Sequence, residues 1–309
     1  MGVARVLRIG TRGSPLAMAQ AELVRAALAA THAELAAPGA LELVVIRTTG
    51  DKILDRPLAE IGGKGLFTKE IDEALLDGRI DLAVHSMKDV PTALPEGIVI
   101  AAMPERADPR DVLLAGAAAS LAGLPAGCVV GTASLRRAAQ VLAHRPDLTV
   151  VPLRGNVQTR LAKLARGEVG ATLLAAAGLA RLGLGTAGGT PLDPAEMLPA
   201  VAQGAIGIAC RADDARLRAI LAPLGHLPTE RCVAAERALL AELDGNCRTP
   251  IAALAVERPS GIELRGLLAS PDGRRVARVE RTGAASDAVR LGREAGRELL
   301  RLGQGWAAG

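Results

Sequence analysis

Aromatic side chains are almost missing: the chain has no Tyr, one Phe (Phe67) and one Trp (Trp306). Proteins that hold single-stranded nucleic acid usually stack bases on aromatic rings, so this composition speaks against that function. Cysteine is sparse and scattered. Cys128, Cys210, Cys232 and Cys247 form no Cys-x-x-Cys pair, and His32, His85, His144 and His226 show no ligand spacing. A disulfide framework and a zinc site are therefore not expected, and no metal is assigned. No apolar run is long and unbroken enough to span a bilayer. No apolar core precedes Gly10–Pro15, and Met1-Gly2 lacks a Ser or Thr at the sixth position, so neither a secretory leader nor myristoylation is expected. The setting expected is soluble, reducing and cytoplasmic. A formal net charge of +4 suits an anionic ligand but is too small to imply nucleic acid.

With 309 residues, half of them hydrophobic, the chain has material for two or three domains. Ala, Leu and Val supply most of the apolar content. The informative stretch is Ile80–Pro91. Ile80, Leu82 and Val84 alternate as in a buried strand; His85, Ser86, Lys88 and Asp89 follow, and Pro91 forbids simple continuation. In open α/β sheets, ligands bind beyond the carboxyl ends of strands. A carboxylate beside an ammonium and a hydroxyl there suits acid–base work on an anion. Locally, the same residues also fit a capped turn with a surface ion pair.

Strand-to-helix junctions recur along the chain. Val6–Ile9 is a strand; Gly10-Thr11-Arg12-Gly13-Ser14-Pro15 is a turn, with Ser14 as N-cap and Pro15 opening a helix to about Ala30. Arg12 and Ser14 thus stand before a helix N-terminus, where an anion is favoured. Leu41–Arg47 is a strand, and Thr48–Leu66 a long loop containing Gly62-Gly63-Lys64-Gly65, without Walker spacing. Ile98–Met103 is a strand, and Pro104–Arg110 a charged crossover that ends where Val112–Ala115 opens a second α/β run. Val129–Gly131, Thr132, Ser134, Arg136 and Arg137 repeat the logic of the first junction, and Thr149–Pro152 leads to Leu153-Arg154-Gly155-Asn156 and a helix to Arg166. Gly131–Gly167 holds six Arg and one Lys against one acid, Asp147. Arg suits planar, bidentate carboxylate recognition, and these cluster where such sheets bind ligands.

Pro199–Gly204, which includes Gln203, reads as a turn returning the chain to the first domain, and Leu224–Pro228 as a linker. A helix over Thr229–Leu243 is expected to expose Glu230, Glu236, Arg237 and Glu242. Three strands and a final helix complete a small α+β domain. Cys247 lies in a Gly/Asn turn beside Arg248, where a thiolate is favoured and reachable. The other cysteines sit in apolar patterns, as small core hydrophobes do.

Six blocks in order resemble the porphobilinogen deaminase family: Gly10–Ala17, Gly62–Phe67, His85–Pro91, Gly131–Arg137, Leu153–Val157 and the Cys247 turn. The resemblance covers nearly the whole chain. It implies two α/β lobes like those of periplasmic binding proteins, joined by two crossing segments, plus a small α+β C-terminal domain. The expected division is 1–104 with 200–223, then 105–199, then 224–309. It implies a monomeric transferase of porphyrin and heme biosynthesis, with no nucleic-acid or membrane partner. Four porphobilinogen molecules are condensed head to tail, with loss of ammonia, into hydroxymethylbilane. The implied cofactor is a dipyrromethane held by a thioether to Cys247.

The substrate carries acetate and propionate groups, so the growing chain is a polyanion. By resemblance, Asp89 is the catalytic carboxylate. Lys88, Ser86, Thr132, Ser134, Arg136 and Arg137 bind cofactor; Arg12, Ser14, Gln20, Lys64, Phe67, Arg154, Arg160 and Gln203 bind substrate, Lys64 and Phe67 as parts of a mobile loop. Glu60 stands where some relatives have Lys, and Asn246 where many have Gly. The competing expectation is a non-enzymatic, two-lobed anion-binding protein.

Overall fold

The computed structural model describes residues 6–52, 67–243, 250–304 and 306. The chain divides into two compact units, passing from the first to the second after Arg106, back after Gly204, and over again after Glu230.

The first unit is built on a five-stranded sheet, order β2-β1-β3-β10-β4. Its strands are β1 (Leu7–Arg12), β2 (Leu41–Ile46), β3 (Leu82–Ser86), β4 (Ile98–Ala102) and β10 (Ile206–Arg211). β1 runs parallel to β2 and β3, whereas β10 is antiparallel to both β3 and β4. Helix α1 (Pro15–Thr31) buries Gln20, Ala21, Val24 and Leu28, a helical stripe. With α7 (Ala215–Leu221) it covers one face of the sheet, around Ile9, Leu82 and Ile208. The short α2 (Thr49–Lys52) follows β2. Helix α3 (Lys69–Leu76) buries Ile71 and Leu75 against Ile80, Ala83 and Ala209 on the other face. A sheet covered on both faces explains why its central strands β3 and β10 are buried on successive residues rather than on alternate ones.

The second unit repeats the plan: a five-stranded sheet of order β7-β6-β8-β5-β9. Here β5 is Asp111–Leu114, β6 Val129–Gly131, β7 Thr149–Val151, β8 Ala171–Ala175 and β9 Thr190–Pro191. Parallel β7-β6-β8 are followed by antiparallel β5, as in the first unit. Helices α4 (Leu135–His144), α5 (Val157–Ala165) and α6 (Ala176–Arg181) flank it. The same unit holds an antiparallel meander, β11 (Ile251–Arg258), β12 (Gly261–Ala269) and β13 (Val276–Gly283), with α8 (Leu227–Glu242), mostly in this unit, and α9 (Ala288–Leu302). Ala139 of α4 packs with Leu254 and Leu267 of the meander. Gly292 and Gly296 let α9 lie directly on α8, because a Cβ at either would strike the carbonyl of Ala235 or Leu239.

Several boundaries differ from those read off the sequence. β1 runs on through Arg12, so that side chain ends a strand rather than sitting in a turn. Helix α8 starts at Leu227, so part of the expected linker is helical. Glu236 is fully buried, not exposed, and Glu230, Arg237 and Glu242 are half-buried. The Glu236 carboxylate accepts the backbone N–H groups of Ala202 (2.6 Å) and Ala255 (2.8 Å). An apolar helix face was legible there; a carboxylate satisfied by two distant backbone donors was not.

Candidate active site

In the first unit the site residues collect at the carboxyl ends of β1 and β3. Arg12 closes β1, and Ser14 caps α1, accepting the Ala17 N–H at 3.3 Å. The Arg12 guanidinium lies over the Phe67 ring, 4.1 Å from its centroid. Gln20, buried one turn into α1, donates through Nε2 to Ser86 Oγ at 2.8 Å, and that oxygen is also 3.1 Å from Gln20 Oε1. His85 is buried beside them. Burial, reinforced by the Arg12 charge, lowers its pKa to about 4, so it is neutral at physiological pH. Lys88 and Asp89 then emerge, exposed, in a single 3-10 turn (Met87–Asp89). The Met87 N–H is held by the Ala205 carbonyl at 3.0 Å, which fixes the turn to the start of β10.

The second unit places its groups at the same ends of the corresponding strands. Thr132 follows β6, and its Oγ1 accepts the Ser134 N–H at 3.1 Å. Ser134 caps α4, accepting the Arg137 N–H at 3.4 Å. Arg136 and Arg137 are buried in the first turn of that helix. Arg154 follows β7. Arg160 on α5 is half-buried and donates through Nε to the Gly155 carbonyl at 2.9 Å. Burial, together with the charges of Arg137 and Arg154, lowers the Arg160 pKa to about 10.

One acid answers Arg136 and Arg137, and it was not singled out in the sequence. Asp111, fully buried at the start of β5, pairs with Arg136 Nη2 at 2.7 Å and accepts from Arg137 Nη2 at 2.8 Å. Burial alone would raise its pKa; the two guanidiniums outweigh that and hold it well below the ordinary carboxylate range. Gln203, also buried, donates Nε2 to Asp111 Oδ1 (2.8 Å) and to the Pro109 carbonyl (2.7 Å). Seven cations facing one acid between 131 and 167 were the available signal that a carboxylate had to come from elsewhere in the chain.

Two arginines on one aspartate leave a net positive charge in a buried place. The Nε atoms of Arg136 and Arg137 are also buried without a hydrogen-bond partner. Unfilled donors on a net-positive cluster fit an anionic organic group bearing carboxylates. Lys64 and Cys247 lie outside the described residues, as do Glu60 and Asn246. Among the described residues no cluster of His, Cys, Asp and Glu is arranged to hold a metal ion, and no helix is long and apolar enough to cross a membrane.

Fold and sites thus define an α/β protein whose second unit holds a buried net-positive cluster suited to an organic anion and whose first unit ends β3 in an exposed carboxylate suited to proton transfer. The family model "Porphobilinogen deaminase, dipyromethane cofactor binding domain" matches residues 7–219, and "Porphobilinogen deaminase, C-terminal domain" matches 230–301. The chloroplastic porphobilinogen deaminase of Oryza sativa subsp. japonica is 59% identical, over 95% of this chain and 83% of the relative. The porphobilinogen deaminase of Paracoccus denitrificans is 53% identical, over 95% of this chain and 93% of the relative. Among solved structures, a TRAP periplasmic solute binding protein from Desulfovibrio salexigens matches with TM-score 0.42 and 11% identity, covering 72% of this chain and 73% of that one. A periplasmic sulfonate-binding protein from Methylobacillus flagellatus matches with TM-score 0.40 and 16% identity, covering 75% and 67%.

The chain belongs to the porphobilinogen deaminase family. It is a hydroxymethylbilane synthase, an enzyme that polymerises porphobilinogen into hydroxymethylbilane and uses a dipyrromethane cofactor. The competing expectation of a non-enzymatic anion binder is set aside.

Proposed function

We propose that Asp89 is the catalytic carboxylate of this reaction and that Cys247 anchors the cofactor. Each condensation breaks the bond between the aminomethyl carbon and nitrogen of one porphobilinogen, and ammonia leaves. The methylene carbon is joined to the free α-carbon of the preceding pyrrole, which gives up its proton. Positive charge develops as the amine departs. An exposed carboxylate at the end of β3 is suited to balance that charge and to carry the proton away. The dipyrromethane, when bound, supplies the pyrrole that primes the chain.

Arg136, Arg137, Thr132, Ser134, Ser86 and Lys88 hold the cofactor's carboxylates in this reading. Arg12, Ser14, Gln20, Arg154 and Arg160, with Lys64 and Phe67, bind those of the substrate. Gln203 belongs to the same set, acting through its amide on Asp111. The observation that carries the assignment is the buried, net-positive Asp111–Arg136–Arg137 cluster with two unfilled donors. We further read three domains, 1–104 with 200–223, 105–199 and 224–309; the recurrence of one sheet order in both units supports the first two. The enzyme is read as a cytoplasmic monomer without nucleic-acid or membrane partners.

The test is the intact mass of the purified protein beside Cys247→Ala and Arg136→Leu. The wild type is expected to carry an excess of two pyrrole units, Cys247→Ala none, and Arg136→Leu a reduced fraction. A full excess on Cys247→Ala would remove that anchor. Full loading of Arg136→Leu would remove the arginine from cofactor binding.

A further inference from the structure

The two arginines of α4 do not stand free. Each guanidinium is fixed at two nitrogens. Arg136 donates Nη1 to the Leu198 carbonyl at 2.8 Å and pairs through Nη2 with Asp111 Oδ2 at 2.7 Å. Arg137 donates Nη1 to the Leu173 carbonyl at 2.8 Å and Nη2 to Asp111 Oδ1 at 2.8 Å. The Nε of each remains without a partner. Asp111 itself is steadied by Gln203, whose neighbour Ala202 is tied by its N–H to the buried Glu236. Both planes are therefore set by contacts that include a carboxylate on strand β5, outside their own helix.

We infer that Asp111 is a positioning residue, one that aims Arg136 and Arg137 and sets the net charge the pair offers to an anionic group. The inference rests on the reading that these arginines hold the cofactor. Two guanidiniums against one carboxylate leave one positive charge, enough to hold a carboxylate without trapping a second. Without Asp111 the two cations face each other in a buried place with only backbone carbonyls for company. A ligand carboxylate would then have to replace the missing counter-charge. Asp111 and the ligand thus share the same two partners, and their effects on stability must be non-additive.

The experiment is a cycle in the full-length protein: wild type and Asp111→Asn, each with and without Cys247→Ala. Intact mass reports the loading state of each, and the thermal unfolding midpoint is the readout. Asp111→Asn is expected to lower the midpoint by about 5 °C more in the unloaded pair than in the loaded pair, because bound cofactor restores part of the lost counter-charge. Equal losses in both pairs would overturn the proposal. Should Asp111→Asn fail to fold, Asp111→Glu keeps the charge and displaces it. That variant is expected to keep the wild-type circular dichroism spectrum while the loaded fraction, read by intact mass, falls about five-fold. Full loading of Asp111→Glu would overturn the positioning role. If Arg136→Leu loads fully, the reading of the arginines fails; if it does not load yet the cycle is additive, the Asp111 inference alone fails.

Discussion

The Arg12 guanidinium rests on the face of Phe67, 4.1 Å from the ring centroid, and Phe67 is the only phenylalanine in the chain. A chain this poor in aromatic rings places its one Phe against a cation assigned to substrate carboxylates. Such a contact is worth about 0.5–2 kcal/mol, depending on how far it is desolvated. Phe67→Leu keeps the apolar bulk and removes the ring face. KM for porphobilinogen is expected to rise roughly five-fold, as about 1 kcal/mol of ordering of Arg12 is lost. An unchanged KM in steady-state kinetics would show that the ring does not help to fix the guanidinium.

Asp89 is exposed, so its removal exposes no core and leaves no buried partner unpaired. Asp89→Ala is expected to keep the wild-type circular dichroism spectrum and unfolding midpoint while turnover falls about 10²–10⁴-fold. A porphobilinogen consumption assay decides it; near-wild-type rates would end the catalytic assignment.

His85 makes stability depend on pH. Its pKa, ordinarily about 6.5, is lowered by burial and by Arg12 to about 4 in the folded protein. Between those values the unfolded chain binds a proton that the folded protein refuses. Stability conferred by the neutral ring is therefore complete above about pH 6.5 and is lost as the pH falls toward 4, by at most about 3 kcal/mol. Asp72 works in the opposite sense. Burial first, aided by Glu73 and opposed by the neighbouring Thr68 hydroxyl, raises its carboxyl to about 6. His85→Asn retains Asp72, so comparing the urea midpoints of the two proteins at pH 7 and pH 4.5 isolates the histidine. The wild type should lose more stability than the variant over that interval; parallel losses would refute the assignment.

Glu236→Gln tests the buried carboxylate of α8. The native group accepts two backbone N–H bonds, one from Ala202, which holds a left-handed conformation (φ 58°) uncommon for a residue with a side chain. A carboxamide presents one oxygen and one donor to two donors. The expected loss is about 2–3 kcal/mol in chemical denaturation. A loss below about 0.5 kcal/mol would mean that the backbone holds this turn unaided.

The strands and the capped helix starts were legible because short-range chemistry specifies them. Ser14 and Ser134 cap the helices assigned to them, and the polar cluster does follow β3. Asp111 was not legible because it directly follows the charged run Pro104–Arg110 in sequence, yet in the fold it opens a wholly buried strand. Its partners are 25, 26 and 92 positions away, beyond any local pattern. Glu236 was misread for a related reason. Helical periodicity assigns a lone acid to the wet face, and only tertiary contacts bring Ala202 and Ala255 to it. Gln203, proposed to bind substrate, donates its amide Nε2 to Asp111 and to the Pro109 carbonyl, contacts that no local pattern shows.

The strand β10 has a consequence for how the polypeptide matures on the ribosome. It lies between β3 and β4, pairing Ile206 with Ser86, although the whole sheet of the second unit is synthesised in between. That second sheet is contiguous in the chain, from β5 to β9, and can close as soon as it emerges. The first sheet cannot. Until residue 211 is made, β3 and β4 each keep an open edge, the kind of surface that recruits other strands. The earliest part of the chain to be translated is thus the later of the two sheets to be completed. Nascent chains stalled before position 206 should be the protease-sensitive, aggregation-prone ones, and those in which residue 211 has cleared the ribosome should be protected.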